Sequence, residues 1–172
     1  MTVAARLVLS NVWVAVAAFA LGAMMALMQA LARAGLELPF GTARLYYLSV
    51  TLHGVLEALV FTTFFIMGLG YLVAETTLGR VAGVAWAWAG FWTALVGTGV
   101  TTLAILSGTS TVLYTFYPPL LAHPAFYIGA TLLVVGSWIW CGVMIGSYLA
   151  WRRANRTARV PLAFHGMLTT VI

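Results

Sequence analysis

Two ionisable side chains stand where a hydrophobic sequence has least reason to place them. His53 and Glu57 lie inside the apolar stretch Tyr46-Tyr47-Leu48-Ser49-Val50-Thr51-Leu52-His53-Gly54-Val55-Leu56-Glu57. Four residues apart, they share one helix face, with Glu57 about one turn beyond His53. A neutral imidazole in such a place is either hydrogen-bonded to a neighbouring helix or bound to a metal, as a direct ligand or through haem. The small neighbour Gly54 leaves room for something flat beside the helix. A carboxyl at the depth of Glu57 is protonated unless paired, because desolvation disfavours its charge. It reads equally as a proton relay, as a cofactor's hydrogen-bond partner, or as an acid bonded to a Thr or Tyr of the next helix.

The elements that must hold these residues are membrane helices. Of 172 residues, 63% are hydrophobic and 6% charged, far too few charges to coat a soluble surface. Runs long enough to cross about 30 Å of hydrocarbon extend from Leu7 to Leu31, Leu45 to Val73, Val81 to Leu106 and Ala125 to Trp151. The first is too long for the core of a signal peptide. A fifth run opens at Pro161 and is still apolar at Ile172. Backbone groups in lipid must be satisfied internally, so these runs are helices. The expected fold is thus an all-α integral membrane protein, four transmembrane helices and the truncated start of a fifth, spanning residues 1–172.

Charge placement gives an orientation. Arg6, Arg80 and the cluster Arg152, Arg153, Arg156 and Arg159 fall on one side, against Arg33 and Arg44 on the other. The positive-inside rule puts the first group, and the N-terminus, in the cytoplasm. The net charge of +5 comes from these helix-end arginines rather than from a basic face, which excludes nucleic acid as a partner. With His53 starting about 12 Å below Leu45, His123 lies at the outer boundary and His165 at the cytoplasmic one, too far away to share an iron with it. Cys141 is alone, so no disulfide, paired-cysteine zinc site or iron–sulfur cluster is available. In the third run Gly83, Ala87, Gly90, Ala94 and Thr98 form a small-residue face for close helix approach. The outer connector Thr109 to Leu120, aromatic and broken by Pro118-Pro119, reads as an interfacial belt or as a lid over a buried cofactor.

Thr51-Leu52-His53-Gly54-Val55-Leu56, followed by Ala58-Leu59-Val60-Phe61-Thr62, resembles the second transmembrane helix of subunit I of haem–copper oxidases. The resemblance is strongest to the B-type branch, the ba-type cytochrome c oxidases. Thr111-Val112-Leu113-Tyr114-Thr115-Phe116-Tyr117-Pro118-Pro119-Leu120 and Ala125-Phe126-Tyr127-Ile128-Gly129-Ala130 match that branch at the third outer connector, as does Trp151-Arg152-Arg153 at the end of the fourth run. The likeness runs through the whole chain in the same order.

That resemblance implies a part of an oxidoreductase, the N-terminal portion of the catalytic subunit of a terminal respiratory oxidase. Such an enzyme reduces dioxygen to water with electrons from cytochrome c and translocates protons across a bacterial or archaeal inner membrane. It implies His53 as one axial ligand of a low-spin haem b, with Tyr114 and Tyr117 near the buried haem site and no catalytic residue of this stretch itself. The high-spin haem and copper would come with the remainder of subunit I, and the binuclear copper centre with subunit II. This portion alone is then not expected to be active. Glu57 departs from the neutral residue usual in the family and stands as a proton-linked candidate. Ala74-Glu75-Thr76-Thr77-Leu78-Gly79-Arg80 lacks the Asp/Asn pattern of A-type relatives, in keeping with the B-type branch. A nitric oxide reductase on the same scaffold and a non-enzymatic helical scaffold or accessory protein remain alternatives.

Overall fold

The computed structural model describes residues 3–36, 42–110 and 121–169. Among them five helices run in succession: α1 (Val3–Arg33), α2 (Ala43–Leu78), α3 (Val84–Leu106), α4 (Pro124–Ala154) and the short α5 (Leu162–Thr169). The first four are long and apolar enough to cross a membrane. Helix α2 continues to Leu78 rather than ending near Val73, and α4 to Ala154 rather than Trp151; α3 begins later, at Val84.

The helix ends follow from local chemistry. Gly35 (φ 77°) closes α1 through Gly35 N–H to the Ala32 carbonyl and Leu36 N–H to the Leu31 carbonyl, the paired bonds of a Schellman turn. The Thr42 hydroxyl caps α2 by accepting from Leu45 N–H at 3.3 Å. Arginines lash the far ends together: Arg33 Nε donates to Tyr46 Oη at 2.9 Å, and Arg44 Nη2 reaches the Gly108 carbonyl at 3.4 Å. At the arginine-rich end, Ser147 Oγ of α4 accepts Ala82 N–H at 2.9 Å, and Arg152 Nη1 donates to the Ala158 carbonyl at 2.6 Å.

Two helix pairs make the bundle. Helix α1 lies along α2, burying Leu7, Asn11, Ala15, Ala18 and Gly22 at helical spacing. Helices α3 and α4 form the closest pair, backbone against backbone. A Cβ on Gly97 would fall 2.5 Å from the Gly129 carbonyl oxygen, and one on Gly136 would fall 2.7 Å from that of Gly90. The contact stripe is Gly90, Ala94, Gly97 and Thr101, so the small-residue face expected through Gly83 and Thr98 is displaced: Gly83 is exposed and turns into the connector. The pairs join where the Trp140 indole covers Gly70, where Phe64 meets Phe91 edge-on at 5.9 Å, and where buried Tyr71 reaches the Ala87 carbonyl at 3.5 Å. Phe164 of α5 stacks on Tyr148 at 6.3 Å.

Helix α2 carries one irregularity. Residues Val55–Phe61 form a π-helical segment, in which backbone bonds close over five residues instead of four. Its buried side chains explain why. Leu52, Leu56, Val60 and Phe64 are buried at steps of four. In a regular α-helix each such step overshoots the face by about 40°. The wider π turns absorb that drift and keep the stripe buried in line, after which Met67, Tyr71, Ala74 and Leu78 resume ordinary spacing.

The closeness of α3 and α4 gives a test. Gly97→Ala puts a methyl group into backbone with nowhere to go, and should lower stability by about 1–3 kcal/mol. Gly99→Ala, with open space at the same depth, should be neutral or stabilising by up to about 1 kcal/mol. Thermal unfolding of the detergent-solubilised protein compares them; equal melting temperatures would contradict the packing described.

Candidate functional site

The site lies where the α-helical first part of α2 passes into the π segment. His53 is the penultimate residue before that passage and Glu57 lies within it. His53 Nδ1 is 3.1 Å from the carbonyl oxygen of Gly22 on α1. A carbonyl can only accept, so Nδ1 carries the proton and donates it. In a neutral imidazole this leaves the lone pair on Nε2, at the other edge of the ring. Nε2 has no hydrogen-bond partner among the described residues, and 36% of the His53 side chain is open. Of the two sequence readings of this histidine, the bond to a neighbouring helix is made by Nδ1. A ligating histidine needs this arrangement, its second nitrogen fixed by a carbonyl or carboxylate so that the tautomer and ring plane are set.

For Glu57 the structure gives a neighbour on its own helix. Among the described residues its carboxyl meets no Thr or Tyr of the next helix; Oε1 lies 3.9 Å from His53 Nδ1, and the side chain runs across Gly22. The cause is that α1 presents its seam of small residues here, Ala15, Ala18 and Gly22, and not a hydroxyl. Gly54 is buried, while 36% of the neighbouring His53 side chain is open. Below Glu57 the face turns aromatic, with Phe61 between Phe19 of α1 at 5.3 Å and Phe65 at 5.6 Å. His53, Glu57, Phe61 and Phe65 thus form a file at steps of four, held straight by the π segment.

The other candidates fall elsewhere. His123 is exposed and caps α4, its Nδ1 accepting Ala125 N–H at 3.2 Å with Pro124 behind it in the first turn. His165 is exposed on α5. Cys141 is a half-buried free thiol. Among the described residues no group of three His, Cys, Asp or Glu side chains comes together. Tyr114, Tyr117 and the Pro118-Pro119 connector lie outside the described residues. Sequence reasoning missed Gly22 and the π segment. A glycine in the middle of an apolar helix was the available signal for Gly22; nothing in composition distinguishes π from α winding.

The sequence profile of the family described as "Cytochrome C and Quinol oxidase polypeptide I" matches residues 6–172. The chain belongs to this family. It is 38% identical over 125 residues to cytochrome c oxidase subunit 1 of Thermus thermophilus, a match covering 73% of this chain and 22% of that protein. A chain of a haem–copper terminal oxidase dimer solved by cryo-EM superimposes with a TM-score of 0.86 at 32% identity, over 94% of this chain and 28% of that one. The chain thus spans about a quarter of the length of the relatives it matches. It is an integral membrane protein of the haem–copper oxidase class, and its helices are those of subunit I.

The cap at His123 predicts a purely structural phenotype. His123→Ala should lower stability on the order of 1 kcal/mol, and His123→Asn, which keeps an acceptor, should restore it. Melting temperatures of the two variants decide; identical values would remove the capping role.

Proposed function

We propose that this chain is the N-terminal part of subunit I of a B-type terminal oxidase, and that His53 supplies one axial ligand of its low-spin haem b. The observation that carries the reading is the hydrogen bond from His53 Nδ1–H to the Gly22 carbonyl, which leaves Nε2 unprotonated on the open side of α2. One nitrogen from this chain suits a haem whose opposite ligand comes from a later helix. With His53 and a second imidazole from the remainder of subunit I to hold it, the haem would supply electron transfer rather than dioxygen binding.

The chain's own residues then have separable tasks. His53 binds the iron, Gly22 fixes its tautomer, and α1 shields the back of the ring. Phe61 and Phe65, below Glu57, offer an apolar wall that excludes water from that side. Glu57 is the proton-linked candidate, a carboxyl one turn from the ligand. Tyr114 and Tyr117 belong, on the family resemblance, near the buried haem site. The remainder of subunit I would supply the high-spin haem, copper and their ligands, and subunit II the binuclear copper centre that receives electrons from cytochrome c. The reaction is reduction of dioxygen to water coupled to proton translocation, in the inner membrane of a bacterium or archaeon with the N-terminus cytoplasmic. The name of the Thermus thermophilus relative, a cytochrome c oxidase, favours dioxygen over nitric oxide as the substrate.

In the complete oxidase, expressed with its partner subunits, His53→Ala should abolish the low-spin haem b band. An unchanged band would end the ligand assignment. Glu57→Gln should alter the haem midpoint potential or proton-linked turnover, and identical kinetics and potential across pH would return Glu57 to packing.

A further inference from the structure

Gly22 touches the site in two independent ways. Its carbonyl accepts the His53 proton at 3.1 Å. Its missing side chain is filled by Glu57: a Cβ on Gly22 would fall 2.5 Å from Glu57 Cγ, 2.9 Å from Oε1 and 3.2 Å from Cδ. Real Cβ atoms do not approach so closely, so any other residue at this position must displace the carboxyl. The direction of displacement is limited. Phe61, packed on Phe19, closes the file below Glu57, and Val55, Leu56 and Val60 are buried on the neighbouring face. A displaced carboxyl therefore leaves His53 for the open side or moves up against the imidazole.

We propose that Gly22 is the positioning residue of this site: its carbonyl orients His53, and its absent side chain sets the distance between the ligand and Glu57. The proposal rests on His53 being a haem ligand. It adds that α1, which offers no ligand of its own, governs the electrostatic surroundings of the iron through one α-carbon. A carboxyl beside a ligating imidazole changes how strongly that imidazole donates to the metal, so its distance is a lever on redox potential.

The test is a double-mutant cycle in the complete oxidase, read by the midpoint potential and optical band of the low-spin haem. Gly22→Ala keeps the carbonyl and removes only the space. It should shift the midpoint potential, as should Glu57→Ala. In the double variant Gly22→Ala/Glu57→Ala the methyl has nothing to displace, so its potential should equal that of Glu57→Ala alone. Additive shifts, or a Gly22→Ala protein with the parent's potential, would overturn the proposal. Should Gly22→Ala fail to assemble, recovery of assembly in the double variant supports the same steric link, and no recovery overturns it. His53→Ala measured alongside separates the two levels: a surviving low-spin band there refutes the ligand, while its loss together with additive shifts refutes only the role of Gly22.

Discussion

Helices in a bilayer hold one another chiefly where their backbones come close, because lipid tails offer no hydrophobic gain for bringing two apolar surfaces together. The structure is organised by that constraint. Gly97 against Gly129 and Gly136 against Gly90 draw α3 onto α4; Gly70 takes the Trp140 indole and joins the second pair to the first. At Gly22 the missing side chain instead makes room for Glu57 of α2, and the same residue's backbone carbonyl is within reach of the His53 ring. Helix association and preparation of the site are here one event. The imidazole is oriented by the contact that holds the bundle together, without a dedicated polar residue.

This economy explains the unusual emptiness of the site. Polar side chains inside a membrane are expensive, and each needs a partner. Here one histidine and one carboxyl both lie against Gly22 of α1, and among the described residues the file continues as Phe61 and Phe65. The arginines stay at the helix ends, where Arg33, Arg44 and Arg152 spend their donors on a tyrosine hydroxyl and on loop carbonyls. They tie connectors down and leave the interior to His53 and Glu57.

Much of this was legible from residue types. Four long apolar runs separated by arginines announce four spanning helices, and a histidine with a carboxyl four residues on marks the face that matters. The neighbours were not legible, because they depend on which side of α1 faces α2. A Thr or Tyr beside Glu57 was one of three readings the sequence left open, and α1 turns its small residues inward there. The α3 stripe slipped from Thr98 to Gly97 for a similar reason: a spacing of four and a spacing of three and a half diverge over three turns, and Gly83 is drawn off into a left-handed connector. Histidine end positions were easier, since Pro124 after His123 already signals a helix beginning.

The π segment has a consequence for how this helix tolerates change in length. An ordinary span that gains or loses one residue rotates everything beyond it by about 100° and detaches a whole face from its neighbours. Val55–Phe61 already holds surplus chain within its wider turns. A single deletion there can be absorbed by tightening to α winding, leaving the contacts of Tyr71 and Gly70 in phase while the file beginning at His53 loses its alignment. The stretch that follows His53 is thus also a slip joint, and it lets the two halves of α2 vary in length without pulling the bundle apart.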